Sequence, residues 1–234
     1  MKTTSPHPLI TARGLTRLYQ LGASEVVGVN AVNLDIGEGE MVALKGNSGS
    51  GKSTLLALLA GLDRPTSGRL EVAGHNLQEA SEIALTRFRR EVVGIVFQTF
   101  NLLPTLTVLE NVALPALLAG RPRNTVERRG LELLKWLNLS PRKEHRPAEL
   151  SGGEMQRTAI ARALINDPRI ILADEPTGNL DSTNGEIVIA LLTQLNRGHG
   201  RTVIIATHST LADPHATREF HMKDGSLAEG KWPA

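Results

Sequence analysis

An α/β fold is predicted by three features of the sequence: a largely parallel core sheet, an antiparallel β addition at the N-terminus and a helical lobe inserted in the middle. Short β-rich runs alternate with helix-spaced segments along most of the chain. The stretch Leu9 to Ile36 carries strand-type alternation with no crossover helix. The stretch from about Thr99 to Ala148 is helical in spacing and has no strong strand.

Met41 to Leu44 is a short apolar run, read as a buried strand, and Lys52 to Ala60 as the helix after it. Leu70 to Val72 reads as a short strand. A helix around Glu79 to Arg90 leads into VVGIVF, Val92 to Phe97, the second strong strand. Helical spacing then holds over Val108 to Leu118 and over Val126 to Leu137, where Leu131, Leu134, Trp136 and Leu137 supply the apolar positions. Strand signals return at Ile170 to Ala173 and at Val203 to Ala206, with a helix from about Gly185 to Leu195 between them. No internal repeat or low-complexity linker interrupts this pattern. The chain is therefore expected to form one domain, 1–234, with its helical lobe at roughly 99–165.

Composition narrows the function classes. Of 234 residues 41% are hydrophobic, enough for one large core. Lys and Arg total 26 against 24 for Asp and Glu, a net charge of +2, and no long basic run is present, so no nucleic-acid partner is expected. Arg87, Arg89 and Arg90, and Arg128 with Arg129, read as solvated helix faces. With no cysteine, a disulfide scaffold and a cysteine-ligated metal are excluded. Met1 to Leu9 lacks an apolar run of the secretory kind. No apolar stretch reaches the roughly 20 residues a spanning helix needs; Leu55 to Leu62 is the longest. Any membrane-spanning part is expected on another chain.

Gly46-Asn47-Ser48-Gly49-Ser50-Gly51-Lys52-Ser53 fits the phosphate-binding pattern G-x-x-x-x-G-K-[ST] between a strand and a helix. Its glycines let backbone N–H groups turn toward phosphate, and the helix N-terminus adds its positive end. Lys52 would reach the β- and γ-phosphates and Ser53 would ligate Mg²⁺, with Thr54 next in line at the site. Ile170 to Ala173 runs into Asp174 and Glu175, at the strand end that faces the ligand crevice in a parallel sheet. Asp174 is placed to hold Mg²⁺ through water and Glu175 to polarise the attacking water. Leu150-Ser151-Gly152-Gly153-Glu154 precedes a further helical pattern, with Ala159, Ile160, Ala163 and Leu164, and reads either as a second anion site or as a plain helix cap.

Two phosphate-reading elements about a hundred residues apart in one chain do not belong to small kinases or GTPases. The Ser151-Gly152-Gly153 segment resembles the ABC signature. Lying between the phosphate loop (Walker A) and the acidic strand end (Walker B), it makes the chain, from about Leu9 to Leu227, similar to ABC ATPases. The resemblance implies a P-loop NTPase core of the RecA-like kind. It further implies a head-to-tail homodimer with ATP sandwiched between the phosphate loop of one subunit and Ser151 to Glu154 of the other. It assigns Gln98 to sensing Mg²⁺ and coupling to the membrane subunit, His208 to the γ-phosphate, and Asn179-Leu180-Asp181 to communication across the dimer. Tyr19 falls where the family stacks an aromatic on adenine.

Phe97-Gln98, Phe100 to Thr107, Glu110-Asn111-Val112 and Ala173 to Asp181 resemble the lipoprotein-releasing and macrolide-exporter branch. That branch implies a permease with few spans and a large extracytoplasmic domain, sometimes with a periplasmic adaptor. The ATPase itself would sit peripherally on the cytoplasmic face of the inner (cell) membrane. Three positions depart from the pattern: Ser209 where Asp is more frequent, Asn47 where Pro is common, and the polar Lys45 where an apolar residue is usual. Export, lipoprotein release or force transmission is the leading expectation. Control of cell-wall hydrolases through a similar permease is the alternative. A soluble ABC protein acting on DNA or ribosomes fits less well, for want of a long insertion or a second ATPase module.

Overall fold

The continuous apolar runs Ile170 to Ala173 and Val203 to Ala206 are apolar because both of their faces are buried. In the computed structural model, which describes residues 8–22 and 24–230, they form β7 (Ile170–Asp174) and β8 (Thr202–Thr207). Side chains alternate between faces along a strand. Ile170, Leu172, Ile204 and Ala206 thus enter one core, shared with α1 (Lys52–Leu59) and the N-terminal sheet. Ile171, Ala173, Val203 and Ile205 enter a second core on the other side, shared with the helices. Burial on both faces is what a parallel sheet covered by crossovers demands.

The six-stranded sheet has the order β10–β9–β3–β8–β7–β6. β3 (Met41–Lys45) runs parallel to β8 and to β9 (Arg218–Lys223); β7 runs parallel to β8 and to β6 (Val93–Val96). β10 (Ser226–Glu229) closes the edge antiparallel to β9. The pairs Lys45–Thr207 and Asp174–Ala206 bring the carboxyl ends of β3, β7 and β8 level. Gly46, Glu175 and His208, the next residues, therefore emerge side by side. The second sheet, β2–β1–β4–β5, is antiparallel: β1 (Ile10–Leu21), β2 (Ser24–Ile36), β4 (Ser67–Val72) and β5 (His75–Asn76). It supplies Ile10, Leu15, Val29 and Ile36 to the first core.

Between β6 and β7 the chain is strandless, as expected, and carries α3 (Val108–Leu118), α4 (Arg123–Trp136) and α5 (Gly152–Leu164). α5 packs on α3 and α4 and also on β6. Helix starts moved where a polar cap, not apolar spacing, sets the first turn. α6 (Ser182–His199) begins ahead of the expected Gly185 because Asp181 accepts the Asn184 N–H at 2.9 Å. α2 (Glu82–Glu91) begins later than Glu79 because the Ser81 hydroxyl caps it. β9 and β10 were outside the sequence reading, although Phe220 and Met222 alternate with polar neighbours and are buried. Arg87 and Arg90 on α2 both pair with Glu91, in keeping with a solvated face. The leader reading over Met1 to Leu9 falls, except for its last two residues, outside the described residues.

Candidate active site

The phosphate loop leaves β3 at Gly46 and enters α1 at Gly51, both at positive φ (151° and 105°). A Cβ at Gly51 would stand 2.2 Å from the Gly28 carbonyl, and one at Gly46 2.5 Å from the Met222 carbonyl, so neither position tolerates a side chain. No side chain caps the start of α1. The first-turn N–H groups remain as donors for an anion, with the helix dipole behind them. The Lys52 ammonium folds back over the loop, donating to the Gly46 carbonyl at 2.7 Å and the Asn47 carbonyl at 3.1 Å. It lies 3.6 Å from Glu175 Oε1.

The opposite wall comes from the ends of β7 and β8. Glu175 stands at φ +44°, a left-handed conformation costly for a side chain of this size, held by its N–H donating to the Ala206 carbonyl at 2.8 Å. Its Oε2 is 3.0 Å from His208 Nδ1, and the His208 ring is 69% exposed. Burial pushes the Asp174 carboxyl up from its ordinary range. A Ser53 hydroxyl hydrogen bond and the Lys52 charge oppose the shift, and the Glu175 charge reinforces it. Asp174 Oδ1 is closed off with no hydrogen-bond partner among the described residues. A buried, unsatisfied carboxylate oxygen beside a serine hydroxyl is a hard-oxygen donor set that fits Mg²⁺.

These walls enclose a cleft of about 360 Å³, bordered at its far end by Tyr19 and Gly28. The Tyr19 hydroxyl donates to Asp63 Oδ2 at 2.8 Å, Arg17 donates to the same oxygen at 2.8 Å, and the Arg17 guanidinium lies 4.5 Å above the Tyr19 ring. Burial works to raise the Asp63 carboxyl, but hydrogen bonds from Tyr19, the Arg64 amide and Arg17 hold it below its ordinary value. Thr54 packs beside Tyr19 at Gly28, where a Cβ would meet both side chains within 3.0 Å. Gln98 borders the cleft too; its carbonyl accepts from Asn179 at 2.9 Å, and its amide covers Gly178.

Of the expected site residues, Tyr19, Ser48, Gly49, Gly51 to Thr54, Gln98, Glu175 and His208 line this cleft; Gly46, Asn47 and Ser50 line a neighbouring one beside His221 to Asp224; Asp174, Ser151 to Glu154 and Asp181 line neither. Ser151 does cap α5: its Oγ accepts from Glu154 N at 3.3 Å while Glu154 Oε2 accepts from Ser151 N at 2.8 Å. The cap reading is thus realised, with Gly152 half-buried and Gly153 buried at the helix start. The Ser151 N–H donating to Glu154 Oε2, Arg142 donating to Oε1 at 2.8 Å and the Ser151 hydroxyl donating to Oε2 at 3.0 Å hold the Glu154 carboxyl down at about 2. A Cβ at Gly153 would lie 2.0 Å from Asn184 Oδ1, so the start of α5 seats directly on the start of α6.

Several residues here escaped the sequence reading. Arg17 and Asp63 act on the cleft only through Tyr19, and nothing in their local pattern marks them. Arg162 of α5 donates to the carbonyls of Phe100 and Asn101, both at positive φ, and so pins the turn after Gln98. Asn111, quoted only as part of a branch pattern, is 1% exposed and bonds the turn Leu103 to Thr107 through four contacts.

A family model described as ABC transporter matches residues 29–178. The chain belongs to the ABC transporter family. It is an ATP-binding ATPase of the lipoprotein-releasing and macrolide-exporter type, with the P-loop NTPase fold expected from its motifs. It is 45% identical over 221 residues to the lipoprotein-releasing system ATP-binding protein LolD of Chromohalobacter salexigens, covering 94% of this chain and 93% of that protein. It is 47% identical over 220 residues to the macrolide export ATP-binding/permease protein MacB of Sodalis glossinidius, where it spans only 34% of the relative's length. Among solved structures, the dimeric cassette MJ0796 in a post-hydrolysis state with ADP and Pi superposes with a TM-score of 0.89 at 41% identity, covering 96% of this chain and 99% of that one. CbiO1 of Clostridium perfringens, part of the transporter complex cbiONQ, superposes with a TM-score of 0.84 at 28% identity, covering 96% and 88%. Among the described residues no helix of this ABC protein is long and apolar enough to cross a membrane.

Proposed function

We propose that this ABC ATPase drives a separate membrane permease through ATP-dependent closure and hydrolytic reopening of a head-to-tail homodimer. The carrying observation is that one chain's cleft holds the phosphate loop, Glu175 and His208 but not Ser151 to Gly153. A second copy supplying that helix start would complete the site, and the MJ0796 relative was solved as a dimer.

In this reading the whole chain acts as one cassette, with 99–165 as its helical lobe. The loop from Gly46 to Thr54 binds the phosphates through backbone N–H groups, and the Tyr19 ring, braced by Arg17 and Asp63, receives adenine. Lys52 exchanges its loop carbonyls for the β- and γ-phosphates. Ser53, Asp174 and Gln98 would hold Mg²⁺, which when bound neutralises charge on the β- and γ-phosphate oxygens. Glu175 polarises the attacking water, and His208, already within reach of its carboxylate, contacts the γ-phosphate. Asp181, capping α6 beneath Gly153, connects this chemistry to the dimer face.

Force passes through the lobe. Gln98, the turn pinned by Arg162 and α3 lead toward a groove of about 380 Å³ lined by Leu106, Leu109 and Leu117 together with Glu110, Arg123, Glu127 and Glu144. A permease with few spans and a large extracytoplasmic domain would engage there, with the ATPase peripheral on the cytoplasmic face of the inner membrane. Export, lipoprotein release or force transmission, with or without a periplasmic adaptor, is the corresponding role.

Purification from native membranes in mild detergent, followed by mass spectrometry, tests the partner. A stoichiometric membrane protein is expected; recovery of the ATPase alone, or with ribosomes or DNA, would overturn the membrane half. Glu175→Gln tests the chemistry: ATP binding is retained, turnover falls about 10²–10⁴-fold, and light scattering finds an ATP-dependent dimer. Wild-type turnover in that variant would remove Glu175 from its role.

A further inference from the structure

Lys45 is the last residue of β3, directly ahead of Gly46, and its side chain is only 8% exposed. An ammonium at that depth is costly unless paired. Val42 and Leu44 turn toward the first core, so Lys45 turns with Met41 to the opposite face. There its ammonium donates to the Ser209 carbonyl and pairs with the Asp213 carboxylate. Asp213 Oδ1 is closed off from solvent with no hydrogen-bond partner among the described residues, so the Lys45 charge is what compensates it.

The loop gripped in this way carries His208. Thr207 ends β8, its Oγ1 accepts from Ser209 N at 3.0 Å, and Ser209 Oγ accepts from Leu211 N at 3.3 Å. These short-range bonds shape the turn, but they do not tie it to the phosphate loop. Lys45 does, across a sequence separation of 164. Both positions are also where this sequence departs from the family pattern, and the structure joins them.

We propose that Lys45 is a positioning residue for His208, coupling the strand that feeds the phosphate loop to the loop that presents the imidazole to Glu175. The ammonium fixes that loop at two points, Ser209 and Asp213, on the C-terminal side of His208. Lys45 touches neither substrate nor reacting atoms. The inference rests on the role of His208 proposed above.

The test compares the full chain, with its co-purified membrane partner, as wild type, Lys45→Met, Lys45→Arg and His208→Ala. Lys45→Met keeps the volume and restores the apolar side chain usual at this position but strands the Asp213 carboxylate. Folding is therefore checked by circular dichroism, and the comparison is repeated in Lys45→Met/Asp213→Asn, which removes the stranded charge. With Mg·ATP, Lys45→Met lowers kcat about 10- to 100-fold while KM stays within about twofold, and Lys45→Arg recovers most of the loss. Hydrogen exchange accelerates over residues 208–216 in Lys45→Met and stays unchanged over α1. Wild-type kcat with unchanged exchange in that loop would overturn the proposal, as would a lower melting temperature with wild-type kcat. Accelerated exchange together with a fully active His208→Ala would instead remove the role of His208 and leave the tether standing.

Discussion

At Gly153 the constraint is a contact rather than a backbone angle. A Cβ there would sit 2.0 Å from Asn184 Oδ1, whose amide is fixed by a 2.7 Å bond to Asp181. Gly153→Ala is expected to cost about 1–3 kcal/mol through overpacking, read as a lowered urea midpoint. Asn184→Ala in the same chain should return part of that loss; no recovery would mean that the clash lies elsewhere. The glycines of the phosphate loop were legible because their pattern is a known response to phosphate. Gly153 was legible as part of a signature, but the reason it must be glycine lies on α6, some thirty residues away.

Asn111 and Glu154 show how single polar groups set whole elements. Asn111 lies on α3 but satisfies the turn that precedes it, accepting from Leu103 N at 2.8 Å and donating to the carbonyls of Leu103, Leu106 and Thr107. Asn111→Leu strands buried backbone groups and should cost about 1–3 kcal/mol, measured by thermal or urea denaturation. Glu154, in the α5 capping box, has its carboxyl lowered to about 2 in the folded chain. A lowered carboxyl binds protons less readily folded than unfolded, so its contribution is fully present above the ordinary carboxylate range. It fades as pH falls toward about 2. Glu154→Gln should thus be less stable than wild type at pH 7, with the gap narrowing on acidification; a gap independent of pH would remove the charge from the account. Helix starts at Ser81 and Asp181 follow the same capping logic, which apolar periodicity does not register.

Across the whole molecule, the levelled ends of β3, β7 and β8 build one cleft, and Ser151 to Gly153 do not line it. Mixing makes this testable. Lys52→Ala chains lack a working phosphate loop and Ser151→Arg chains a working signature, yet a mixed head-to-tail dimer retains one complete site. Hydrolysis that neither variant gives alone is expected on mixing. Its absence would mean that each chain completes its own site.

By itself the sequence determined the α/β class, the two apolar strands that end in Asp174-Glu175 and before His208, the phosphate loop, the signature and the family. Those are local properties, written in spacing, composition and short motifs, and they survive without knowledge of neighbours. Only the tertiary structure decided what packs across long separations: β9 and β10 at the sheet edge, Arg17 and Asp63 behind Tyr19, Arg162 on the turn after Gln98, and Lys45 on the His208 loop. The strands aside, each is a polar group placed by the register of strands or the crossing of helices. Pairing at a distance leaves no period in the chain, so it becomes visible only once the sheet is assembled.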